Sequence, residues 1–331
     1  MGPILVVGAT GQLGTAVVDK LRALKGAQRV RALVRAGSPR EFASDGVELA
    51  FGDLREPESL VAACQGMATV VSTANAVVPR DKATFAQVEE TGYDNLLDAC
   101  RAENVRRFIF MSVVPTPHDK SVTTFRMKRR IEERIQGSGL AYSIFRGDFF
   151  MDDWFALMGS TIPLRGAKAH TLRRPFWFAK GFMKFAGSSI DKRGIALVPG
   201  DGKSRHTPVA LDDVAAILAA AASEPETGES ENLVENLGGP EILSWHDIVA
   251  IFSRVLGRPL KMMHTPAKVY RVAADVLEAL SPPAGNLMAM SWVAAMSDTA
   301  FDGKPLAERF GVKLTTAEEF LRAKAALPPE A

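Results

Sequence analysis

The sequence predicts an α/β protein built on a doubly wound parallel sheet, with a smaller, mainly helical carboxyl-terminal lobe. From residue 3 to about 146, short apolar runs alternate with amphipathic segments, which is the pattern of a parallel sheet covered by helices on both faces. After Arg146 this alternation weakens, and aromatic residues and methionines become denser. We therefore expect a Rossmann-type domain over residues 1–150 and a second lobe over 151–331, with some chain returning to the sheet around 190–240.

The apolar pattern also places the individual elements. After the first apolar run, Leu13, Val17 and Leu21 fall on one helical face, which predicts a helix over Leu13–Leu24. From about residue 245 onward we expect helices separated by proline-containing turns. The expected strands are Ile4–Val7, Val30–Val34, Val47–Phe51, Thr69–Thr73, Phe108–Ser112 and Tyr142–Arg146.

Composition narrows the class of protein. The chain has 331 residues, 47% of them hydrophobic, a formal net charge of +2 and dispersed basic residues, so nothing demands nucleic acid or an anionic membrane as partner. The two cysteines, Cys64 and Cys100, form no CxxC motif, and the five histidines have no metal-binding spacing. We expect no disulfide framework and no metal. A cytoplasmic protein with a small-molecule substrate fits best, and a homo-oligomer is compatible.

A glycine-rich loop opens the chain. The segment "ILVVGATGQLG" runs from an expected strand into an expected helix, which is the context that gives a glycine fingerprint meaning. Gly8 would allow the tight turn, Gly11 the close approach of a pyrophosphate, and Gly14 the packing of helix on strand. The alternative is a plain strand-to-helix turn. We expect a dinucleotide whose pyrophosphate is held by Gly8, Thr10, Gly11, Gln12 and Leu13.

The ends of the next strands bear on which dinucleotide binds. Arg35 stands where an NAD site usually carries an acidic residue, and Ser38 and Arg40 follow it closely. A guanidinium there suits a 2′-phosphate, so NADP(H) is favoured and NAD(H) remains an alternative, as does a solvated arginine. Asp53 and Leu54 are placed to meet the adenine, although Asp53 could equally cap the next helix. The residues expected beside the cofactor path are Thr73, Ala74 and Asn75.

Several motifs together resemble the NmrA-like, atypical branch of the short-chain dehydrogenase/reductases. They are "GATGQLG", "ALVR", "GDL", "GYDNLLDACRAENVRRFIFMSV", "FRGDFFMDDW", "DGKSRHTPVALDDVA" and "NLGGPEILSW". The resemblance reaches from residue 4 to about 260. It implies that NADP(H) or NAD(H) binds at the carboxyl ends of the strands, and that substrate binds between the Rossmann domain and the second lobe.

The sequence departs from the family's catalytic motif at one position. The resemblance implies a Ser after the fifth strand and a Tyr-x-x-x-Lys motif on the next helix. The matching residues are Ser112, Thr124 and Lys128, so the tyrosine is missing, and threonine is a far poorer acid. Lys128 is expected to hold the nicotinamide ribose or to donate a proton, and Ser112 to bind a substrate oxygen. The alternative for "FRMKRRIEER" is a solvated helix with Lys128–Glu132 and Arg129–Glu133 neighbours.

Three further features lie in the second half. Phe149 and Phe150 are candidates to wall the cofactor from the substrate, and Phe149 is assigned to the cofactor site; packing between the lobes is the alternative. Asp152 and Asp153 are adjacent on an expected helix, and we assign them no chemistry. The aromatic and basic segment 173–187 is interpreted as lobe core with lysines at its edge, in preference to a lid or a membrane-surface helix.

The sequence supports three functions. The first is an NAD(P)H-dependent oxidoreductase that acts on a quinone or another conjugated carbonyl compound, where hydride delivery is harder than protonation. The second is a tailoring oxygenase or reductase for polycyclic aromatic substrates. The third is a non-catalytic, cofactor-binding redox sensor or assembly factor, because fold alone does not decide activity.

Overall fold

A computed structural model describes residues 2–24, 29–37, 46–75, 77, 85–174, 176–224 and 232–328. Its strands, in chain order, are β1 (Ile4–Val7), β2 (Val30–Val34), β3 (Glu48–Phe51), β4 (Thr69–Ser72), β5 (Arg107–Val113), β6 (Ala141–Gly147), β7 (Ile195–Pro199), β8 (Arg205–His206), β9 (Leu233–Leu237), β10 (Leu243–Ser244) and β11 (Lys261–Thr265). One parallel sheet has the order β3-β2-β1-β4-β5-β6-β9. The strand order reverses on the two sides of β1, as in a doubly wound fold.

Helices cover this sheet on both faces. The α-helices, in chain order, are α1 (Gln12–Ala23), α2 (Pro57–Cys64), α3 (Gly92–Ala102), α4 (Thr123–Gln136), α5 (Met151–Leu157), α6 (Trp177–Phe185), α7 (Ser189–Arg193), α8 (Leu211–Ala222), α9 (Trp245–Leu256), α10 (Ala267–Leu280), α11 (Pro282–Met296), α12 (Lys304–Arg309) and α13 (Ala317–Ala326). A π-helix over Ala86–Thr91 leads directly into α3. Ile4 and Val6 pack with α1 and α8, whereas Leu5 and Val7 pack with α2, α3 and α4, because neighbouring strand residues point to opposite faces.

The α/β fold predicted from the sequence is confirmed, with small shifts at the ends of elements. β3 begins one residue later than expected and β4 ends one residue earlier, while β5 and β6 each extend by one residue at both ends. The first helix spans Gln12–Ala23 instead of Leu13–Leu24. Within the region 190–240, β9 pairs with β6 and α8 packs on α1. The chain therefore crosses back to the sheet before it completes the second lobe.

The second lobe has its own apolar core, formed mainly by α5, α9 and α13. Phe155, Trp245 and Phe252 are fully buried in it. The parallel pair β7 and β11 and the packed pair α10 and α11 complete the lobe. The sequence predicts that segment 173–187 belongs to the core of the second lobe. This prediction is only partly right, because Trp177 is 58% exposed and Phe185 is 76% exposed. No helix in the described part of the chain is long and apolar enough to cross a bilayer.

Candidate functional site

The glycine loop links β1 to α1 in a backbone shape that only glycine fits. Gly8 has φ +84°, and a Cβ there would lie 2.8 Å from the Ala74 nitrogen. A Cβ on Gly14 would lie 2.1 Å from the Gly8 oxygen, so α1 packs directly on the loop. Gly11 precedes α1, and no side chain caps this helix. The free N–H groups of its first turn, with the positive end of the helix dipole, therefore favour an anion at this edge of the sheet.

A cluster of opposite charges lies at the ends of β2 and β3. Arg55 donates to both carboxylate oxygens of Asp53, at 2.8 Å each, and the Arg35 Nη1 lies 4.0 Å from Asp53 Oδ2. The hydrogen bond from Arg55 is the main reason that the pKa of Asp53 is lowered. Asp53 does not cap α2, since the N-cap residue is Glu56, so that interpretation is wrong. Arg55 was not identified from the sequence, and Ser38 and Arg40 lie outside the described residues.

The segment after β4 borders the glycine loop. Thr73 Oγ1 donates to the Val7 oxygen at 3.2 Å, and the buried Tyr93 hydroxyl donates to the Ala74 oxygen at 2.8 Å. Asn75 Oδ1 accepts from the Val77 nitrogen at 3.3 Å. These bonds hold the segment beside β1, where Thr73, Ala74, Asn75 and Leu54 line one cavity with the loop.

Lys128 reaches this cavity from α4 in an almost dry environment. The residue is 5% exposed, and its Nζ lies 3.8 Å from Glu89 Oε2 and 4.5 Å from the centre of the Phe110 ring. Burial lowers the pKa of Lys128, while the negative charges of Glu89 and Glu132 oppose that shift. The solvated-helix alternative is wrong for this residue. An ammonium that is easier to deprotonate than usual is suited to exchanging a proton with a ligand.

Ser112 also lines the cavity, but its hydroxyl is engaged. It donates to Glu132 Oε1, and Glu132 in turn accepts from Arg146 Nη2 at 2.6 Å and from Arg129 Nη1 at 2.9 Å. Arg129 therefore pairs with Glu132 instead of Glu133, and Glu132 is buried instead of solvated. The Ser112 oxygen retains acceptor capacity toward a ligand, whereas its proton is committed to the carboxylate.

The position of the missing tyrosine is covered by the second lobe. Thr124 is buried, its nitrogen donates to Asn286 Oδ1 at 2.9 Å, and its Oγ1 accepts from Asn286 Nδ2 at 2.8 Å. Asn286 lies on α11, 162 residues away in sequence. This pairing fixes α11 against α4, so Thr124 has a packing role.

Aromatic side chains form the wall opposite Lys128. Phe149 stacks on Trp154, with ring centres 4.2 Å apart, and contacts His206 and Trp245 at 4.3 and 5.8 Å. Phe150 instead packs on the sheet core beside Gly147, so the two phenylalanines have different surroundings. We call the cluster of Phe149, Trp154, His206 and Trp245 the aromatic wall. Phe149, Trp154 and Trp245 of this cluster line the cavity and give it an apolar, aromatic surface that suits an aromatic ligand.

Carboxyl groups that were assigned no chemistry meet this cavity. Burial raises the pKa of Asp153 to about 7, with a further contribution from the adjacent Asp152 charge, while Arg174 acts in the other direction. Burial likewise raises the pKa of Asp148 to about 6. Asp152 accepts from the Leu211 nitrogen at 3.0 Å and is structural. The charge of Asp152 thus affects the ionisation of Asp153 even though adjacent side chains on a helix do not face each other. Sequence spacing alone does not reveal this effect.

One cavity of about 800 Å³ lies between the two lobes, and it is lined by the glycine loop, Asp53, Lys128, Ser112, Phe149 and Asp153. Beyond the aromatic wall its lining is mostly apolar, from Leu157, Met158, Phe178, Phe182, Met263, Tyr270, Leu287 and Met290. Within the described residues, no group of three or more His, Cys, Asp or Glu side chains is arranged to hold a metal. The cavity therefore combines an anion-binding end with an apolar end, and Lys128 borders both.

Comparison with known proteins identifies the family and several relatives of this chain. The NmrA-like family profile matches residues 2–321. The NAD(P)H azoreductase of Xenophilus azovorans is 28% identical over 98% of both chains. The photosystem II assembly factor Ycf39 of Cyanophora paradoxa is 38% identical over 144 residues, which cover only 44% of that protein's length. This chain therefore matches less than half of the assembly factor.

Solved structures show the same fold. The NADPH-dependent quinone oxidoreductase of Escherichia coli, complexed with NADPH, superposes with a TM-score of 0.73 at 19% identity, over 97% of this chain and 99% of that chain. The triphenylmethane reductase of Citrobacter sp., complexed with NADP(H), gives 0.72 at 19% identity, with the same coverage. At this level of identity the likeness establishes the fold.

Proposed function

Because the chain belongs to the NmrA-like family, we propose that it is an NAD(P)H-dependent oxidoreductase that transfers hydride to a quinone or another conjugated carbonyl compound. Relatives that match over 96% or more of this chain include an NAD(P)H azoreductase and a phenylcoumaran benzylic ether reductase. The observation that carries the proposal is that one cavity joins the glycine loop, the buried Lys128 and the aromatic wall. A dinucleotide and a flat acceptor would meet beside Lys128.

The polar end of the cavity fits a nicotinamide dinucleotide. Gly8 and Gly14 allow the loop to pack closely against the segment after β4 and against α1. Thr10, Gly11, Gln12 and Leu13 line the same end of the cavity. Arg35 and Arg55 surround the single carboxylate of Asp53. Two guanidinium groups against one carboxylate leave a net positive site, which favours the 2′-phosphate of NADP(H). Asp53, Leu54 and the segment 73–75 would enclose the adenosine and the cofactor path.

The chain's own contribution to catalysis centres on Lys128. When bound, reduced nicotinamide supplies the hydride. The Lys128 ammonium would hold the nicotinamide ribose and deliver the proton that the reduced acceptor oxygen takes up. The Ser112 hydroxyl donates its proton to Glu132, so that proton is not available for this step. The Thr124 hydroxyl accepts from Asn286 Nδ2, and an aliphatic hydroxyl is too weak an acid for this step. Glu89, at 3.8 Å, would stabilise the protonated lysine before the transfer.

The aromatic wall would set the class of acceptor. Phe149 and Trp154 are stacked, and the remaining lining of this end is largely aliphatic. Such a surface would bind planar conjugated rings through buried apolar area and ring stacking. It offers few hydrogen-bonding groups to a flexible polar substrate. Phe149 would separate the nicotinamide from the bulk of the lobe and align the acceptor for hydride transfer.

The test is a fluorescence titration of the purified protein with NADPH and NADH, followed by a panel of quinones monitored at 340 nm. Tight binding together with acceptor-dependent loss of absorbance is the expected result. The panel includes polycyclic quinones, so activity restricted to large ring systems would identify a tailoring enzyme. Absence of cofactor binding would contradict the proposal outright.

The second candidate is a cofactor-binding assembly factor or redox sensor. Two observations favour it: the catalytic tyrosine is missing, and part of the chain is 38% identical to a photosystem II assembly factor. Such a protein would bind NADPH tightly and leave it unoxidised with every acceptor in the panel. The same titration therefore separates the two functions.

A further inference from the structure

A turn of the second lobe is fastened to the start of α1. Gln12, the first residue of that helix, accepts through its Oε1 from the Thr171 nitrogen at 3.0 Å and from Thr171 Oγ1 at 2.9 Å. Thr171 begins a short 3-10 turn that ends at Arg173. The phosphate end of the cavity is thus built from both lobes.

This turn brings a guanidinium group to the glycine loop. The Arg174 Nη2 lies 3.8 Å from the point where a side chain on Gly11 would begin, and Arg174 lines the same cavity as Gly11 and Thr10. Asp153, on α5, lies within the electrostatic reach of Arg174. A positive group from the second lobe therefore faces the uncapped amino terminus of α1.

Gln12 supplies an independent indication that something binds here. It is only 8% exposed, and Thr171 fixes which way its amide points. Its Nε2 is a buried donor with no hydrogen-bond partner among the described residues. A buried donor without an acceptor costs about 1–3 kcal/mol, so a cavity-lining one indicates a ligand that brings the acceptor.

We propose that Arg174 is a phosphate ligand of the dinucleotide, supplied by the second lobe, and that Gln12 Nε2 donates to the same pyrophosphate. The inference rests on the proposed function, because it assigns new residues to that cofactor. A guanidinium suits the task since it offers two parallel donors to phosphate oxygens. Arg174 lies at the start of α1, whereas Arg35 lies at the ends of β2 and β3. The two arginines would therefore bind different phosphates of the cofactor.

The test compares Arg174→Ala with Arg173→Ala. Arg173 is the adjacent arginine, and its Nη2 donates to the Leu164 oxygen at 2.7 Å, so its removal takes the same charge from the lobe without touching the glycine loop. Calorimetric titration measures the Kd for NADPH, for NADH and for adenosine 2′-monophosphate, which has no pyrophosphate. Arg174→Ala is expected to raise the Kd of both dinucleotides by about tenfold and to leave the nucleotide monophosphate within about twofold. Arg173→Ala should change none of the three.

Three outcomes would overturn the inference. The first is that the Kd of Arg174→Ala for NADPH lies within twofold of the wild-type value. The second is that Arg174→Ala raises the Kd for adenosine 2′-monophosphate as much as the Kd for NADPH, which would indicate a general distortion of the cofactor site. The third is a wild-type protein that binds neither dinucleotide, which would remove the proposed function as well; the first two leave it standing. If Arg174→Ala does not fold, Arg174→Gln carries the same expectation, because it keeps most of the side-chain length and removes the charge.

Discussion

The two walls of the cavity are built on different principles. The wall that belongs to the sheet domain consists of short segments that directly follow β1, β2, β3 and β4, and much of what it offers a ligand is backbone. The wall of the second lobe is assembled from side chains far apart in sequence, such as Trp154, Arg174 and Trp245. Local chain geometry determines the first wall, whereas the packing of a whole lobe determines the second.

The walls also differ in how they treat charge. In the sheet domain, Arg35 and Arg55 are part-exposed and pair with Asp53 near solvent. In the second lobe, burial lowers the pKa of His170 to about 3 and that of His206 to about 4, and it raises the pKa of Asp153 to about 7. Buried groups of the second lobe therefore favour their neutral forms. One of them, Asp153, lines the cavity together with apolar side chains, which suits an apolar acceptor.

The largest effect expected from this difference is on the pH dependence of stability. The pKa of Asp153 is 3.8 in the unfolded chain and about 7 in the folded protein. Its contribution to the free energy of unfolding is therefore fully present below pH 3.8 and is lost as the pH rises through about 7. The Asp153→Asn variant has no carboxyl group at this position and does not show this loss of stability. The variant's free energy of unfolding, relative to wild type, should rise by up to about 4 kcal/mol between pH 4 and pH 8.

Urea unfolding at several pH values measures this difference. Asp302→Asn, which removes an exposed carboxyl group near the end of the second lobe, is the matched control and should show a difference from wild type that is nearly independent of pH. If the stability difference between Asp153→Asn and wild type is also independent of pH, Asp153 is ionised and hydrated in the folded protein. The proposed contrast between the two walls would then be wrong at this residue.

The next effect concerns Lys128, which stands where the two walls meet. Lys128→Met keeps the buried stem and removes the ammonium, so kcat with a quinone should fall by about 100-fold, the lower range for loss of a general acid. The Kd for NADPH should change by only a few fold, because the glycine loop and Arg35 are intact. Stopped-flow and steady-state assays at 340 nm separate the two constants.

Arg130→Met is the control for this prediction. Arg130 is on the same helix, but it is exposed and pairs with Glu90, so its removal should leave both constants unchanged. An unaltered kcat in Lys128→Met would assign the proton to water and leave Lys128 with a structural role only.

The wall of the sheet domain was largely predictable from sequence. Gly8, Gly11 and Gly14 stand between an apolar strand and an amphipathic helix, and this context is local. Arg55 was missed for a local reason too: it lies two residues after Asp53, and only the turn that lets its guanidinium fold back onto that carboxylate reveals the contact.

The second wall could not be predicted in this way. The pairing of Thr124 with Asn286 spans 162 residues, and that of Gln12 with Thr171 spans 159, so no spacing rule connects them. The displaced pKa values of Asp153 and His170 arise from burial by several elements. The only usable signal was the dense aromatic and acidic segment "FFMDDW", whose function depends on what packs around it.

The smallest effect returns to the sheet domain and concerns cofactor choice. Arg35→Ala should raise the Kd of NADPH by about tenfold, the value of one charge-assisted phosphate contact near solvent, and should leave NADH within about twofold. Arg22→Ala, which removes a guanidinium from the far end of α1, is the control and should change neither constant. If Arg35 and Arg174 bind different phosphates, as proposed, Arg35→Ala should discriminate between the dinucleotides whereas Arg174→Ala should not. Equal losses for NADPH and NADH in Arg35→Ala would contradict the 2′-phosphate assignment and place Arg35 on a group common to both.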